Sequence, residues 1–390
     1  MTSDAPIYLV VAAFFPSHTS CRGSYTYDQV RAIERTGRYR VVVLMPTPCY
    51  HPESDYTYGG VHVHRFKCYD LPSNVWPGSG DRLTLWAFDN CLRRLSIAFT
   101  DIAVVHAHVS CNALYANHVK AKNPNCLSLL QHHGYDVLRL RDGRFADCAW
   151  HKRRCITYGK RQCSAIDLHV GVSHEILRYL EAYDGIIIRD KFVLYNGVDS
   201  SKFFPAPNRP AGVFHIGCVA NFWELKDQMT LIRAVESLVS EGRTNIRVSF
   251  VGSGYTRLGC EQYVAEHGLQ QFFEFRNEMS HSLLNDYYNS LSLFVLPSYW
   301  DSFGCVYTEA YACGVPFMTA QGTGITELIP ADDRDKWVIA PHDYMALARN
   351  IRRVLDDPRN LPVEQIQPLT SSIDIQSLVN DFLNFIESKG

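Results

Sequence analysis

The sequence predicts an α/β protein of two successive domains, each built on a largely parallel sheet. Three observations carry that expectation. Short, continuous apolar runs rich in Val, Ile and Leu recur along the chain, the pattern of strands buried on both faces. Most runs end at a loop marked by glycine or histidine and lead into a segment of helical periodicity. Near residue 200 the alternation is interrupted by "NGVDSSKFFPAPNRPAGVF", rich in Asn, Gly, Ser and Pro, and then resumes. At 390 residues there is room for two domains of ordinary size.

The first run, "IYLVVAAFF", follows Asp4 and Pro6 without a basic segment, so it reads as a buried strand and not as a signal peptide. Arg22-Gly23 marks the turn into the helical "YTYDQVRAIERTG". The strands "RVVVLMP", "VHVHRF", "IAVVHAH", "CLSLLQHH" and "IDLHVGVS" follow. After the junction come "VFHIGCVANF", the helical "KDQMTLIRAVESLVSEG", and the strands "IRVSFVGSG", "LSLFVLPS" and "VPFMTA". Between the last two, Cys305–Ala312 reads as a helix closed by Cys313-Gly314. The final "IDIQSLVNDFLNFIESKG" repeats apolar Leu378, Phe382 and Phe385 at helical spacing. The expected division is residues 1–205, residues 206–372, and a C-terminal helix in 373–390 packing back on the first domain. The two domains are expected to face a central cleft.

Composition is globular: 46% hydrophobic, 20% charged, formal net charge -2. No run reaches the roughly 18 apolar residues of a spanning helix. The thirteen cysteines are scattered, without a CxxC pair or a zinc-like spacing with histidine, as expected of reduced thiols in a cytoplasmic protein. Charge is unevenly divided. Residues 1–170 hold 20 Lys/Arg against 13 Asp/Glu, and residues 171–390 hold 18 against 27. The densest basic run, Arg139 to Gln162, suits a peripheral membrane contact through Arg139–Arg161 or is simply a solvated helical face. No nucleic-acid-reading motif accompanies it, so nucleic acid is not an expected partner.

The most informative stretch is "FVLPSYWDSFGCVYTEAYACGVPFMTA", Phe294 to Ala320. Asp301 and Glu309 stand eight residues apart around a Ser-Phe-Gly turn, just past the end of a buried strand, where ligands of open α/β sheets bind. Free backbone N–H groups near Phe303, Gly304 and Cys305, with Ser302 in the same turn, suit a phosphate. The two acids then suit ribose or sugar hydroxyls better than a place beside phosphate. Acid/base and capping roles stay open on spacing alone. A metal would need more converging ligands, and none is expected.

This stretch, with Gly324 and Glu327, resembles the E-x7-E region of retaining glycosyltransferases with the GT-B fold, specifically family 4. Asp301 stands where the family usually has the first Glu. "LLQHHGYDVLR" resembles the family's HG-x-D/E stretch, which assigns His133 to the donor sugar, with His108 of "VVHAHVS" in support. Gly23 corresponds to the second of two glycines near donor phosphate and acceptor, and Arg22 occupies the first position. "CVANFWELKDQ" resembles an Arg-x4-Lys pair binding the donor diphosphate, with Lys226 retained and Asn221 in place of Arg. Gly252 and Gly254 of "FVGSGY" resemble a G-x-G turn close to the nucleotide, and "YNGVDSSKF" matches the NGVD segment before the second domain. The resemblance runs from Tyr8 to at least Ile329.

Membership implies transfer of a hexose or N-acetylhexosamine from a nucleotide sugar, UDP favoured, with retention and without a resident metal or other cofactor. Lys226 and the N–H groups near Gly304 would stabilise the departing phosphate, and Asp301 and Glu309 would hold hydroxyls. A small natural-product core or glycan is the favoured acceptor, for which Asp136 and Asp142 would be needed nearby. A lipid-linked envelope acceptor is the alternative. Two other classes remain: a phosphorylase-like enzyme, for which no pyridoxal-phosphate lysine motif is evident, and a noncatalytic nucleotide-sugar-binding protein.

Overall fold

A computed structural model describes residues 5–69, 76–134, 150–183, 185–207, 212–357, 363, 369 and 372–389. The chain forms two compact units, Met1–Tyr195 with Ile375–Gly390, and Asn196–Asp374.

The first unit holds an eight-stranded sheet of β1 (Ile7–Val11), β2 (Arg40–Pro48), β3 (Tyr56–Tyr58), β4 (Val61–Cys68), β5 (Ile102–His108), β6 (Leu127–His132), β7 (Leu168–Gly171) and β8 (Lys191–Val193). Its order is β3-β4-β2-β1-β5-β6-β7-β8, parallel except for the β3–β4 pair. Strand alternation divides β1 between two cores. Ile7, Leu9 and Val11 pack with Phe88, Leu92, Ala116 and Val119 on one face. Tyr8 and Val10 pack on the other with Val30, Ile33, Val379, Phe382 and Ile386.

That second face is covered in part by the terminal helix Ile375–Glu387, lying against Ser24–Arg35. Gln376 Nε2 donates to the Ala32 carbonyl at 3.0 Å, and Arg38 reaches Asn384 Oδ1 at 2.8 Å and Glu387 Oε2 at 3.0 Å. Residues almost two hundred positions beyond the end of β8 thus complete the core of the first unit.

The second unit is a six-stranded, wholly parallel sheet of β9 (Phe214–Val219), β10 (Ile246–Val251), β11 (Phe273–Arg276), β12 (Leu293–Leu296), β13 (Phe317–Ala320) and β14 (Val338–Ile339). Its order, β11-β10-β9-β12-β13-β14, is the doubly wound one, with the winding reversing between β9 and β12. The division of the chain falls at Tyr195/Asn196, ten residues before the expected 205/206. Local bonding explains why. Val198 N donates to the Ile373 carbonyl at 2.8 Å, Ser200 Oγ donates to Asp374 at 2.8 Å, and buried Phe203 meets His281 and Tyr288 edge to face. The Asn-Gly-rich stretch is therefore part of the second unit and not a free linker. Strands β3, β8, β11 and β14 add short edges that the apolar runs do not announce. Among the described residues no helix is long and apolar enough to cross a membrane.

Phe382 is wholly buried in the first unit's core. Phe382→Ala is expected to destabilise that unit by about 3–5 kcal/mol, read as a lower-midpoint transition in denaturant titration.

Candidate functional site

In the second unit the loops after β9 and β12 flank the point where the winding reverses, and they are stitched together. Ser298 Oγ and Tyr299 N both donate to the Leu225 carbonyl, at 2.9 and 3.1 Å. Lys226 ends a short 3-10 turn, Glu224–Lys226, and its Nζ lies 2.5 Å from Asp301 Oδ2. Both side chains are mostly buried, at 18% and 17% exposure, so this is a partly desolvated ion pair and not a surface one. Asp301 is held by its backbone as well: its N–H donates to the Gly322 carbonyl, and its carbonyl accepts from Gly324 N.

Gly252 and Gly254 follow β10 with φ near +147° and +148°. A Cβ there would lie 2.1 Å from the Ala220 carbonyl oxygen and 2.4 Å from that of Phe222. The glycine pair thus lets the loop carrying Asn221 press directly against the end of β10, with Phe222 N donating to the Ser253 carbonyl at 2.8 Å. Asn221 is exposed, and its carbonyl accepts from Gln228 Nε2 at 3.0 Å.

Beyond β12, Ser302 is half-buried, Phe303 is buried, and Gly304 precedes the helix Cys305–Ala312 with φ 88° and no side-chain cap. Glycine at that position offers the helix start no capping side chain of its own. Glu309 lies one turn in, buried to 8% exposure. Tyr288 Oη donates to Glu309 Oε2 at 2.8 Å, while His281 Nε2 stands 3.5 Å from Oε1. Burial, and then the Glu309 charge, raise the Tyr288 pKa well above its usual value, so the phenol stays a donor.

In the first unit the winding reverses between β1 and β5, and the predicted residues gather there and at the end of neighbouring β6. Gly23 precedes Ser24–Arg35 with φ 89°. The Arg22 guanidinium lies 3.5 Å from the Phe14 ring centroid, so the extra charge of this loop rests on an aromatic face. His108, ending β5, and His133, just past β6, form a pair: His108 Nδ1 and His133 Nε2 are 3.0 Å apart and the rings stack with 5.2 Å between centroids. The stack extends inward from His108 to His106, whose Nδ1 lies 2.7 Å from Tyr8 Oη, and outward from His133 to Tyr25. Asp136, Asp142 and residues 139–149 of the basic run lie outside the described residues. Among the described residues no three His, Cys, Asp or Glu side chains are grouped to hold a metal ion.

The sequence matches two families in succession, "Glycosyltransferase Family 4" over residues 23–202 and "Glycosyl transferases group 1" over residues 199–367. The chain belongs to the family 4 type of GT-B glycosyltransferases. Among curated relatives it is 32% identical over 201 residues to the D-inositol 3-phosphate glycosyltransferase of Streptomyces avermitilis, covering 47% of this chain and 42% of that protein. It is 27% identical over 195 residues to a glycogen synthase of Mycobacterium tuberculosis, covering 48% and 45%. The matches thus span less than half the length of these relatives. The sucrose-phosphate synthase of Thermosynechococcus elongatus has the same fold, with a TM-score of 0.73 at 18% identity over 98% of each chain. So does Anabaena HepE crystallised with UDP and glucose, with a TM-score of 0.69 at 15% identity over 98% of this chain and 100% of that one.

For this GT-B chain, sequence reasoning located the strand-end residues but missed their supports. Leu225, Tyr288 and Tyr25 each touch a predicted residue or its loop, and Tyr8 braces His106, the strand neighbour of His108. His106 had a signal, standing two residues before His108 on one strand face. Tyr288, twenty-one positions before Glu309, had none.

Burial is the main cause that holds His106 and His169 down to about 3 and lowers His108 as well, with neighbouring histidines adding to it. The unfolded chain binds these protons near pH 6.5, so the neutral histidines' contribution to stability is complete above that value and declines as pH falls toward the folded pKa. Acidification from about pH 7 to about pH 5 is expected to lower the thermal unfolding midpoint. His106→Asn should flatten that dependence, as scanning calorimetry at the two pH values would show.

Proposed function

We propose that this chain transfers a hexose or N-acetylhexosamine from a nucleotide sugar, UDP-linked by preference, to an acceptor hydroxyl with retention of anomeric configuration. The observation that carries the reading is Lys226 placed across the winding reversal from the uncapped helix start at Gly304. Glycosyl transfer builds negative charge on the leaving diphosphate and positive charge on the sugar ring. A cation and a helix N-terminus fixed beforehand stabilise the first without reorganising during the reaction. Asp301 and Glu309 hold hydroxyls, with Glu309 oriented by Tyr288 at Oε2 and by His281 3.5 Å from Oε1. His133, the half-buried end of the histidine stack, bonds a sugar hydroxyl as a neutral imidazole whose orientation His108 sets. The departing phosphate takes the acceptor proton on the same face, so no carboxylate nucleophile is required, and no resident metal or other cofactor is proposed.

Relatives named for D-inositol 3-phosphate support a small polyol acceptor, and neighbours crystallised with UDP or UDP-glucose support the donor base. A lipid-linked acceptor is the second reading, favoured by the exposed aromatic and basic surface of the first unit.

The test incubates the full chain with UDP-GlcNAc, UDP-glucose or GDP-mannose and D-inositol 3-phosphate, without added metal, and follows nucleotide release and the anomeric proton of the product. One UDP-sugar is expected to turn over, with its configuration kept. An inverted product would overturn retention. Tight UDP binding without transfer to this or any lipid-linked acceptor would leave a noncatalytic binding protein.

A further inference from the structure

Two helices of the first unit, Asp81–Arg94 and Trp150–Ser164, together with Trp76 just before the first, expose large apolar side chains. Trp76, Leu83, Trp86 and Trp150 are 50%, 56%, 58% and 59% exposed. Trp76 and Trp150 meet edge to face at 6.2 Å, and the Arg154 guanidinium lies 4.7 Å from the centre of one ring and 5.9 Å from the other. Tyr158 Oη donates to Asp81 Oδ2 at 2.8 Å, tying the start of one helix to the middle of the other. Trp86 follows on the exposed face, about 8 Å along the axis from Asp81.

Among the described residues basic side chains predominate on this surface. Arg82, Arg93, Arg153, Arg154 and Arg161 are exposed, and the helix Trp150–Ser164 contains no acidic residue. Both acids of Asp81–Arg94 are already engaged, Asp81 with Tyr158 and Asp89 with His118 at 2.8 Å. Tryptophan beside arginine is the chemistry of the bilayer interface: the indole rings sit at headgroup depth while guanidinium groups reach lipid phosphate. A polyanion without an apolar layer would use the arginines and leave three indoles and a leucine in water.

We infer that this face docks the protein on an anionic lipid bilayer, with Trp76, Trp86, Trp150 and Leu83 entering the headgroup boundary and the five arginines meeting lipid phosphate. The inference is independent of the glycosyl-transfer reading, because none of these side chains belongs to the site described above.

The test is flotation of the full chain with phosphatidylcholine vesicles, alone or containing about one-third phosphatidylglycerol, together with tryptophan quenching by brominated lipid. The protein is expected to float with the anionic vesicles only, with quenched emission. Trp86→Ser with Trp150→Ser, and separately Arg153→Gln with Arg154→Gln, should each weaken binding by about tenfold or more while leaving the thermal midpoint and turnover of a water-soluble acceptor unchanged. Absence of binding to anionic vesicles would overturn the inference. So would binding that survives loss of both tryptophans, or binding by heparin or an acidic protein that competes with the vesicles and needs no indole.

Discussion

The strands β1, β12 and β13 are buried along their whole length, and this double-sided burial governs where the rest of the molecule places chemistry. A side chain within such a strand meets only other side chains. Polar function is confined to strand ends, and parallel strands put their carboxyl ends on one edge of the sheet. In both units the predicted residues gather at that edge: Gly23, His108 and His133 in one, Asn221, Lys226, Gly252, Gly254, Asp301 and Gly304 in the other. Where loops crowd together there, the backbone leaves no room for a Cβ, and the pair Gly252/Gly254 is the price of bringing the Asn221 loop against β10.

Within that frame the Lys226–Asp301 pair is the electrostatic centre of the second unit. The family pattern carries two cations and a Glu, whereas this chain carries one cation and a shorter acid. With Asn221 neutral, Lys226 is the only cation of the motif, and Asp301 already neutralises it. In the proposed reaction a diphosphate would have to draw Lys226 away from a partly buried carboxylate, and Asp301 would thereby temper donor affinity. Glu309 is arranged differently. A neutral phenol holds one of its oxygens, which fixes the carboxylate without cancelling its charge.

Much of this was legible in the sequence because it depends on local pattern. Buried strands read as apolar runs, the turn at Gly304 and the end of Cys305–Ala312 read from glycines, and the periodic Phe382 and Phe385 announced a helix. What escaped depends on distant partners. The edge strands β8, β11 and β14 are two to four residues long and borrow their definition from neighbours. The Asn196–Phe203 stretch looks like a linker by composition but is pinned by Ile373, Asp374 and Tyr288, which no local rule connects to it. The ion pair joins positions seventy-five residues apart, and its spacing carries no signal.

The measurement that bears most directly on this account is calorimetric titration of UDP into the unaltered protein, Lys226→Met and Asp301→Asn, each checked for an unchanged fold. If Lys226 binds the diphosphate and Asp301 competes for it, Lys226→Met weakens UDP by about tenfold or more, the scale of one charged hydrogen bond, while Asp301→Asn binds UDP as tightly as the unaltered protein or more tightly. Equal weakening by both substitutions would show the pair to be a structural brace, and undiminished binding by Lys226→Met would remove the lysine from the donor site.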